Sequence, residues 1–322
     1  MQIGPFSVER ELGRGGMGAV YLGREPGGAH VAIKVIHADL SLDEDFAARF
    51  EREGAALERL AHPNLVALRR RGTYRGGHWL AMDYVPGGSL EERLKLQGPW
   101  PSHAARELLI SLCEGISHAH QAGILHRDLK PANVLLRAQD GQALIADFGL
   151  ALPLDVSQHL TRTGEILGSP GYLAPEQCGL DQPTTPATDV YGLGALLYFV
   201  LSGQPPLTGA SLLAMLDNVL NQPPPPLSGL VENLDPRLEA ICLRCLAKDP
   251  SERYQSAREL QDALQEEPAP PAQPRRRALW AALASLAALA LVSAAWLGRP
   301  PDLESAASSP PEPTPAPVTT PV

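Results

Sequence analysis

The chain has 322 residues, 44% hydrophobic and 20% charged, enough apolar content to bury a large two-lobed domain and too much for disorder through the bulk of it. A formal net charge of −9 excludes a global nucleic-acid surface, which needs a basic stripe to neutralise phosphates. Four cysteines, Cys113, Cys178, Cys242 and Cys245, make no disulfide framework in a chain of this length and fit a reducing compartment.

Taken in chain order, Met1 to Ser7 lacks a charged start and an apolar run, so no signal peptide is expected, and Gln2 in place of Gly excludes myristoylation. FSVEREL, AVYLG and HVAIKVI are β-branched runs separated by Gly-rich turns and predict an antiparallel sheet. Phe46 to Leu60 gives the first long helix, with Phe46, Phe50, Leu57 and Leu60 returning to one face. Further helices are predicted over Ala104–Gln121, Asp189–Ser202, Leu212–Asn221, Pro236–Ala247 and Ser256–Gln265, each bounded by Pro or Gly. The Cys242–Cys245 pair lies in an apolar helical run with no second pair or His to complete a metal site, so it reads as core packing. Pro223–Pro226 reads as a rigid interhelical loop. A small β-rich part before a larger helical part predicts an α+β, two-lobed fold with a cleft between the lobes.

After Gln265 the composition changes. Residues 266–277 (EEPAPPAQPRRR) form a Pro-rich, basic linker that spans about 40 Å as polyproline II. Residues 278–298 carry no charge and as a helix measure about 31 Å, close to the hydrocarbon thickness of a bilayer. Trp280 and Trp296 stand near its two ends, as interfacial aromatics do. One C-terminal transmembrane helix is therefore expected, followed by a disordered Pro-rich tail over 299–322. A soluble Ala/Leu helix packed on a partner is the plainer reading. Ala281 and Ser285, four apart, would let two such helices approach and admit a homodimer.

Three motifs carry chemistry. In GRGGMGAV, Gly13, Gly15 and Gly18 lie between two strands, where missing side chains let backbone amides approach a phosphate. Taken alone, the loop fits a hairpin tip equally well. Lys34 ends the apolar VAIK strand and needs an anionic partner. Glu53 on the first helix is the expected one, and Glu51, pointing to another face, is its rival. HRDLKPAN then supplies His126, Arg127, Asp128, Lys130 and Asn133, and DFG supplies Asp147, Phe148 and Gly149. An oriented general base, metal-binding oxygens and cations on developing charge are the parts phosphoryl transfer requires.

With APE at Ala174, Pro175 and Glu176, the set matches the protein-kinase signatures piece by piece. Over residues 6–265 the sequence resembles the bacterial eukaryotic-like (Hanks-type) serine/threonine protein kinases. The resemblance implies a protein-kinase-like fold and a non-specific serine/threonine protein kinase using ATP and Mg²⁺, with Mn²⁺ as an alternative, on protein Ser/Thr hydroxyls. Asp128 would take the acceptor proton, Lys130 would steady the transferred group, Glu53 would hold the Lys34 ammonium toward the α and β phosphates, and Asn133 and Asp147 would hold the metal. Nucleotide contacts would come from Leu12, Gly13, Arg14, Gly15, Gly16, Met17, Gly18, Val20, Ala32 and Lys34, with Met82 behind the pocket and backbone groups of Asp83 and Val85 on the adenine ring. Asp83 stands where Glu is commoner, and Ser169 where Thr is usual. Lys130 in HRDLKPAN matches the Ser/Thr form rather than the tyrosine form. A catalytically silent scaffold would lack Lys34, Asp128, Asn133 or Asp147, and all four are present.

By the same resemblance Arg253 pairs with Glu176, and Asp189 braces the catalytic-loop backbone, although a helix N-cap is equally compatible. Thr161 and Thr163, between DFG and APE, are candidate autophosphorylation sites with Arg127 poised to receive the phosphate. Arg275, Arg276 and Arg277 precede the apolar stretch and Arg299 follows it, which places the kinase domain on the cytoplasmic side of a cell membrane and the short tail outside. The expected role is cytoplasmic signal transduction. The protein substrate and the stimulus are not written in the sequence.

Overall fold

The computed structural model describes residues 1–15, 18–37, 41, 44–148, 170–178 and 182–266. The described residues up to Glu266 form one compact unit. The first part is a six-stranded antiparallel sheet built from β1 (Gln2–Ile3), β2 (Phe6–Gly15), β3 (Gly18–Arg24), β4 (His30–Ile36), β5 (Leu68–Tyr74) and β6 (Gly77–Asp83). Its spatial order is β1-β2-β3-β4-β6-β5. Alternation along the strands divides the sheet into two faces. On one, Val31 and Ile33 pack with Ile3, Phe6, Trp79 and Ala81 in a small separate core. The other carries Ala32 and Lys34, and faces the rest of the molecule.

Helix α1 (Glu44–Leu57) lies between β4 and β5 in sequence. It begins and ends a little earlier than the predicted span. Phe46, Phe50, Leu57 and Leu60 are all buried, in line with the single apolar face read from their spacing. They join the large core that continues into the helical part. Arg71 on β5 forms ion pairs with Glu51 and Glu58, so the solvent side of α1 is fastened to the sheet. The sequence reading missed β5, because the three arginines of LRRRGTY hide the period-2 alternation.

The helical part contains α2 (Leu90–Gln97), α3 (Ser102–Gln121), α4 (Pro186–Ser202), α5 (Leu212–Asn221), α6 (Pro236–Cys245) and α7 (Ala257–Gln265), with a short hairpin of β7 (Val134–Leu136) and β8 (Ala143–Ile145). The α5 bounds are as predicted, and the others differ by a few residues at one end. Helix α2 was not predicted, although its start is written in the sequence as a capping box. Ser89 Oγ accepts from the Glu92 N–H at 3.2 Å while Glu92 Oε2 accepts from the Ser89 N–H at 2.9 Å. Every residue of α4 from Ala187 to Leu201 is buried. A helix apolar all round is a core helix, and α3, α6 and α7 pack about it.

Cys242 and Cys245 lie fully buried on α6, with burial holding both thiols protonated well above the usual range. Among the described residues no group of three or more His, Cys, Asp or Glu could hold a metal. The Pro223–Pro226 loop links α5 to α6, and Pro225 C=O accepts the Tyr198 hydroxyl at 3.1 Å. No helix among the described residues is long and apolar enough to cross a membrane. The segment expected to do so, 278–298, the linker and tail beside it, Gly16, Met17, Gly149, Thr161, Thr163 and Ser169 lie outside the described residues.

Candidate active site

Strand register assembles the floor of the cleft. Val20 lies opposite Lys34, Lys34 opposite Leu80, and Ala32 opposite Met82. These residues share one face of the sheet, so a half-buried lysine sits in an apolar floor. Gly18 is fixed by the fold: its φ is +152°, and a Cβ there would sit 1.9 Å from the Val35 carbonyl oxygen. Gly13 and Gly15 differ, since a Cβ on either would meet nothing within 4 Å. The described residues give no reason for glycine at these two positions, whereas a closely approaching ligand does. Arg14 turns to solvent and pairs with Glu11 at 2.7 Å. The Asp83 N–H donates to Ala67 C=O at 3.0 Å, which limits any ring contact at this residue to its carbonyl. The Asp83 carboxylate is taken by Arg69. Val85 follows in the half-buried segment after β6.

The catalytic loop is held from three sides. Asp189, in the first turn of α4, accepts from the His126 N–H at 2.8 Å, the Arg127 N–H at 2.8 Å and His120 Nε2 at 2.8 Å. It is therefore a brace, and the N-cap of α4 is Thr185. Burial alone would raise its pKa, but the hydrogen bonds from His120 and from the His126 N–H outweigh this and hold the carboxyl below the usual range. His126 is fully buried. Its Nδ1 accepts the Asp128 N–H at 3.2 Å, so the proton lies on Nε2, which donates to Ala146 C=O at 2.9 Å. The loop needs such fastening because Arg127 has φ +64°, in the left-handed region that a residue with a long side chain disfavours.

The reacting groups then converge. Lys130 Nζ donates to Asp128 Oδ2 at 2.7 Å, and Asn133 Nδ2 donates to the same oxygen at 3.0 Å and to the Asp128 carbonyl at 2.8 Å. The Asn133 carbonyl accepts the Ala146 N–H at 2.8 Å, which ties the HRD loop to the start of DFG. Asp147, with φ +59°, pairs with Lys34 Nζ at 2.9 Å. Burial works against its ionisation, yet Lys34 and Lys130 together hold the carboxyl below its ordinary value. The Phe148 ring lies 4.7 Å from that of His126.

The constellation is that of a phosphotransferase cleft, and the comparisons agree with it. The protein kinase domain family matches residues 6–266. The chain belongs to the protein kinase family. It is 39% identical over 264 residues to the serine/threonine-protein kinase PknJ of Mycobacterium tuberculosis, covering 80% of this chain and 44% of PknJ. The chain thus matches less than half the length of that relative. The crystal structure of the Mycobacterium tuberculosis PknI kinase domain is similar with a TM-score of 0.65 at 31% identity, covering 82% of this chain and 96% of that one. Rad53 1-466 in complex with AMP-PNP gives a TM-score of 0.68 at 25% identity, covering 80% of this chain and 64% of that one. These similarities give the chain the two-lobed kinase fold, and the mycobacterial relative PknJ is a serine/threonine-protein kinase.

One expected pairing of the kinase site is not formed. Lys34 is engaged by Asp147, while Glu53 pairs with Arg127 Nη1 at 3.2 Å. The reason lies in α1: Arg71 fastens Glu51 and Glu58 to β5, and at that setting Glu53 reaches the catalytic loop. Glu51, the rival for Lys34, is held by Arg71 and plays no part in the cleft. The Arg253–Glu176 pair is formed as the family pattern predicts, at 2.8 and 2.9 Å with both side chains fully buried. The sequence reading missed His120, whose bond to Asp189 spans 69 positions, and Gln177, which directly follows APE.

Proposed function

We propose that the chain transfers the γ-phosphoryl group of ATP to Ser and Thr hydroxyls of proteins. The observation that carries this reading is the Asp128 carboxylate fixed by Lys130 and Asn133 within a loop whose next element bears Asp147. The residues present fit Mg²⁺: Asp147 supplies a carboxylate, and Asn133, whose Nδ2 is committed to Asp128, has its amide oxygen to offer. Two hard oxygen ligands completed by phosphates and water suit this ion. Gly13, Gly15 and the floor around Ala32 and Met82 fit ATP, and the relative solved with AMP-PNP supports that choice. When bound, ATP supplies the phosphoryl group and Mg²⁺ screens its charge. Both hydrogen bonds to the Asp128 side chain fall on Oδ2, so Oδ1 is the atom that accepts the hydroxyl proton. Lys130, beside it, neutralises charge on the group in transit.

Activation-segment phosphorylation at Thr161 or Thr163 belongs to the same reading. Arg127 Nε is buried with no hydrogen-bond partner among the described residues, a donor suited to a phosphate. Phosphate arriving there would compete with Glu53 and free it for Lys34. Membrane anchoring through 278–298, with the kinase domain cytoplasmic, rests on the uncharged stretch and its flanking arginines, and a homodimer through that helix on its small residues. The test is transfer from radiolabelled ATP with Mg²⁺ to the chain and to a generic Ser/Thr substrate. Label on Ser or Thr, lost about 100- to 10,000-fold in Asp128→Asn, is expected; equal label in the variant overturns the assignment. Retention of the full chain in carbonate-washed membranes tests the anchor.

A further inference from the structure

The peptide after Arg127 carries the catalytic Asp128, and its setting is strained. Arg127 adopts φ +64°, a conformation that persists in a non-glycine residue only where neighbours over-determine it. Two of those neighbours belong to the signature residues: Asp189 receives the Arg127 N–H, and His126 Nδ1 receives the Asp128 N–H. The carbonyl between these two amides is held by neither.

That carbonyl accepts from Gln177 Nε2 at 2.7 Å, across 50 positions. The other end of the same amide, Oε1, accepts the Ala174 N–H at 3.1 Å. A carbonyl at one end and an N–H at the other leave only one orientation of the side-chain amide. Gln177 closes the short turn Pro175–Gln177, one residue after the Glu176 that Arg253 anchors. The amide thus joins two backbone segments: the turn that closes the activation segment, and the peptide that leads into Asp128.

We propose that Gln177 is a positioning residue for catalysis, coupling the seat of the activation segment to the orientation of Asp128 through the Arg127 carbonyl. The inference rests on the kinase reading above. It requires a side chain that both donates and accepts, which distinguishes Gln from Glu and Leu at one shape and size.

Gln177→Glu keeps the acceptor facing Ala174 and removes the donor facing Arg127, while Gln177→Leu removes both. Transfer to a Ser/Thr peptide by the full chain should fall about tenfold or more in kcat for either variant, with KM for ATP within about twofold of the parent. Hydrogen exchange read by mass spectrometry should show faster exchange in the peptide containing His126–Asp128 and unchanged exchange in α4 and α7, a pattern that general unfolding does not give. Parental kcat in a folded Gln177→Glu variant overturns the proposal, as does a kcat loss accompanied by a matching loss of ATP affinity and of protection throughout the helical part. If the parent itself transfers no phosphate, the kinase reading fails instead. The exchange rates of the loop then decide the Gln177 contact by themselves, unchanged rates overturning it.

Discussion

Two arginines of this chain pair with glutamates and serve opposite ends. Arg253 has its five N–H donors matched by five acceptors: both Glu176 oxygens and the carbonyls of Ala247, Ala187 and Lys248. It is fully buried and lies over the Tyr191 ring. Arg127, about one-fifth exposed, gives Glu53 a single bond at 3.2 Å, and its Nε has no partner among the described residues. A guanidinium with every donor matched in a dry site has no better arrangement available. One with open donors beside solvent can exchange partners. The first pair is architecture, and the second is an exchangeable contact.

The largest expected effect breaks the architectural pair. Arg253→Met leaves Glu176 buried with Thr188 as its remaining side-chain partner, and stability should fall by about 3–5 kcal/mol in chemical unfolding. Replacing Glu176 by Gln in the same chain should recover part of the loss, because the stranded charge is then gone. A loss under about 1 kcal/mol would show that Arg253 is no more fixed than Arg127.

The brace beneath Arg127 gives a pH-dependent version of the test. The folded pKa of Asp189 lies below its unfolded value, so its contribution is full above the unfolded pKa of about 3.9 and is lost as pH falls through the folded value. The stability gap between the parent and Asp189→Asn, about 1–3 kcal/mol at pH 7 from stranded donors, should therefore hold down to about pH 4 and narrow below it. A gap that widens with acid would mean that the carboxyl is not held ionised by His120 and the loop amides.

How much of this was legible in the sequence follows from the same contrast. Asp128, Lys130, Asn133, Asp147, Glu176 and Arg253 sit in short motifs whose local chemistry is fixed, and the structure joins Asp128 to Lys130 and Asn133, Asp147 to Lys34, and Glu176 to Arg253. Strands β2, β3 and β4 and most helices followed from period and punctuation, while β5 was hidden by its arginines and α2 passed unnoticed despite its capping box. The Lys34–Glu53 pairing was not legible, because it depends on the setting of a whole helix. The pairs that fasten this helix to β5 involve Arg71, Glu51 and Glu58, residues that read as ordinary solvated charges. Gln177 and His120 act across 50 and 69 positions, and no local pattern points to their partners.

The open pair should be weak. In a double-mutant cycle on unfolding, Glu53→Gln with Arg127→Met should give a coupling of about 0.2–1 kcal/mol, as for partly exposed ion pairs. The corresponding cycle on Glu176 and Arg253 should give several times more. Similar coupling in both would remove the distinction between a fixed and an exchangeable arginine.

The smallest effect on stability is expected at Gly13, in a loop where the same distinction between architecture and ligand contact recurs within one turn. At Gly18 a side chain would strike the Val35 carbonyl, so Gly18→Ala should destabilise the domain by about 2 kcal/mol or more. At Gly13 a Cβ meets no atom of the described residues within 4 Å, so Gly13→Ala should leave unfolding within about 0.5 kcal/mol of the parent. The loss should appear instead in nucleotide handling, as a rise in KM for ATP of about three- to tenfold from the methyl group standing between backbone and phosphates. Titration with ATP checks both variants. Unchanged KM in Gly13→Ala would mean that the open space above the loop is not where the phosphates lie.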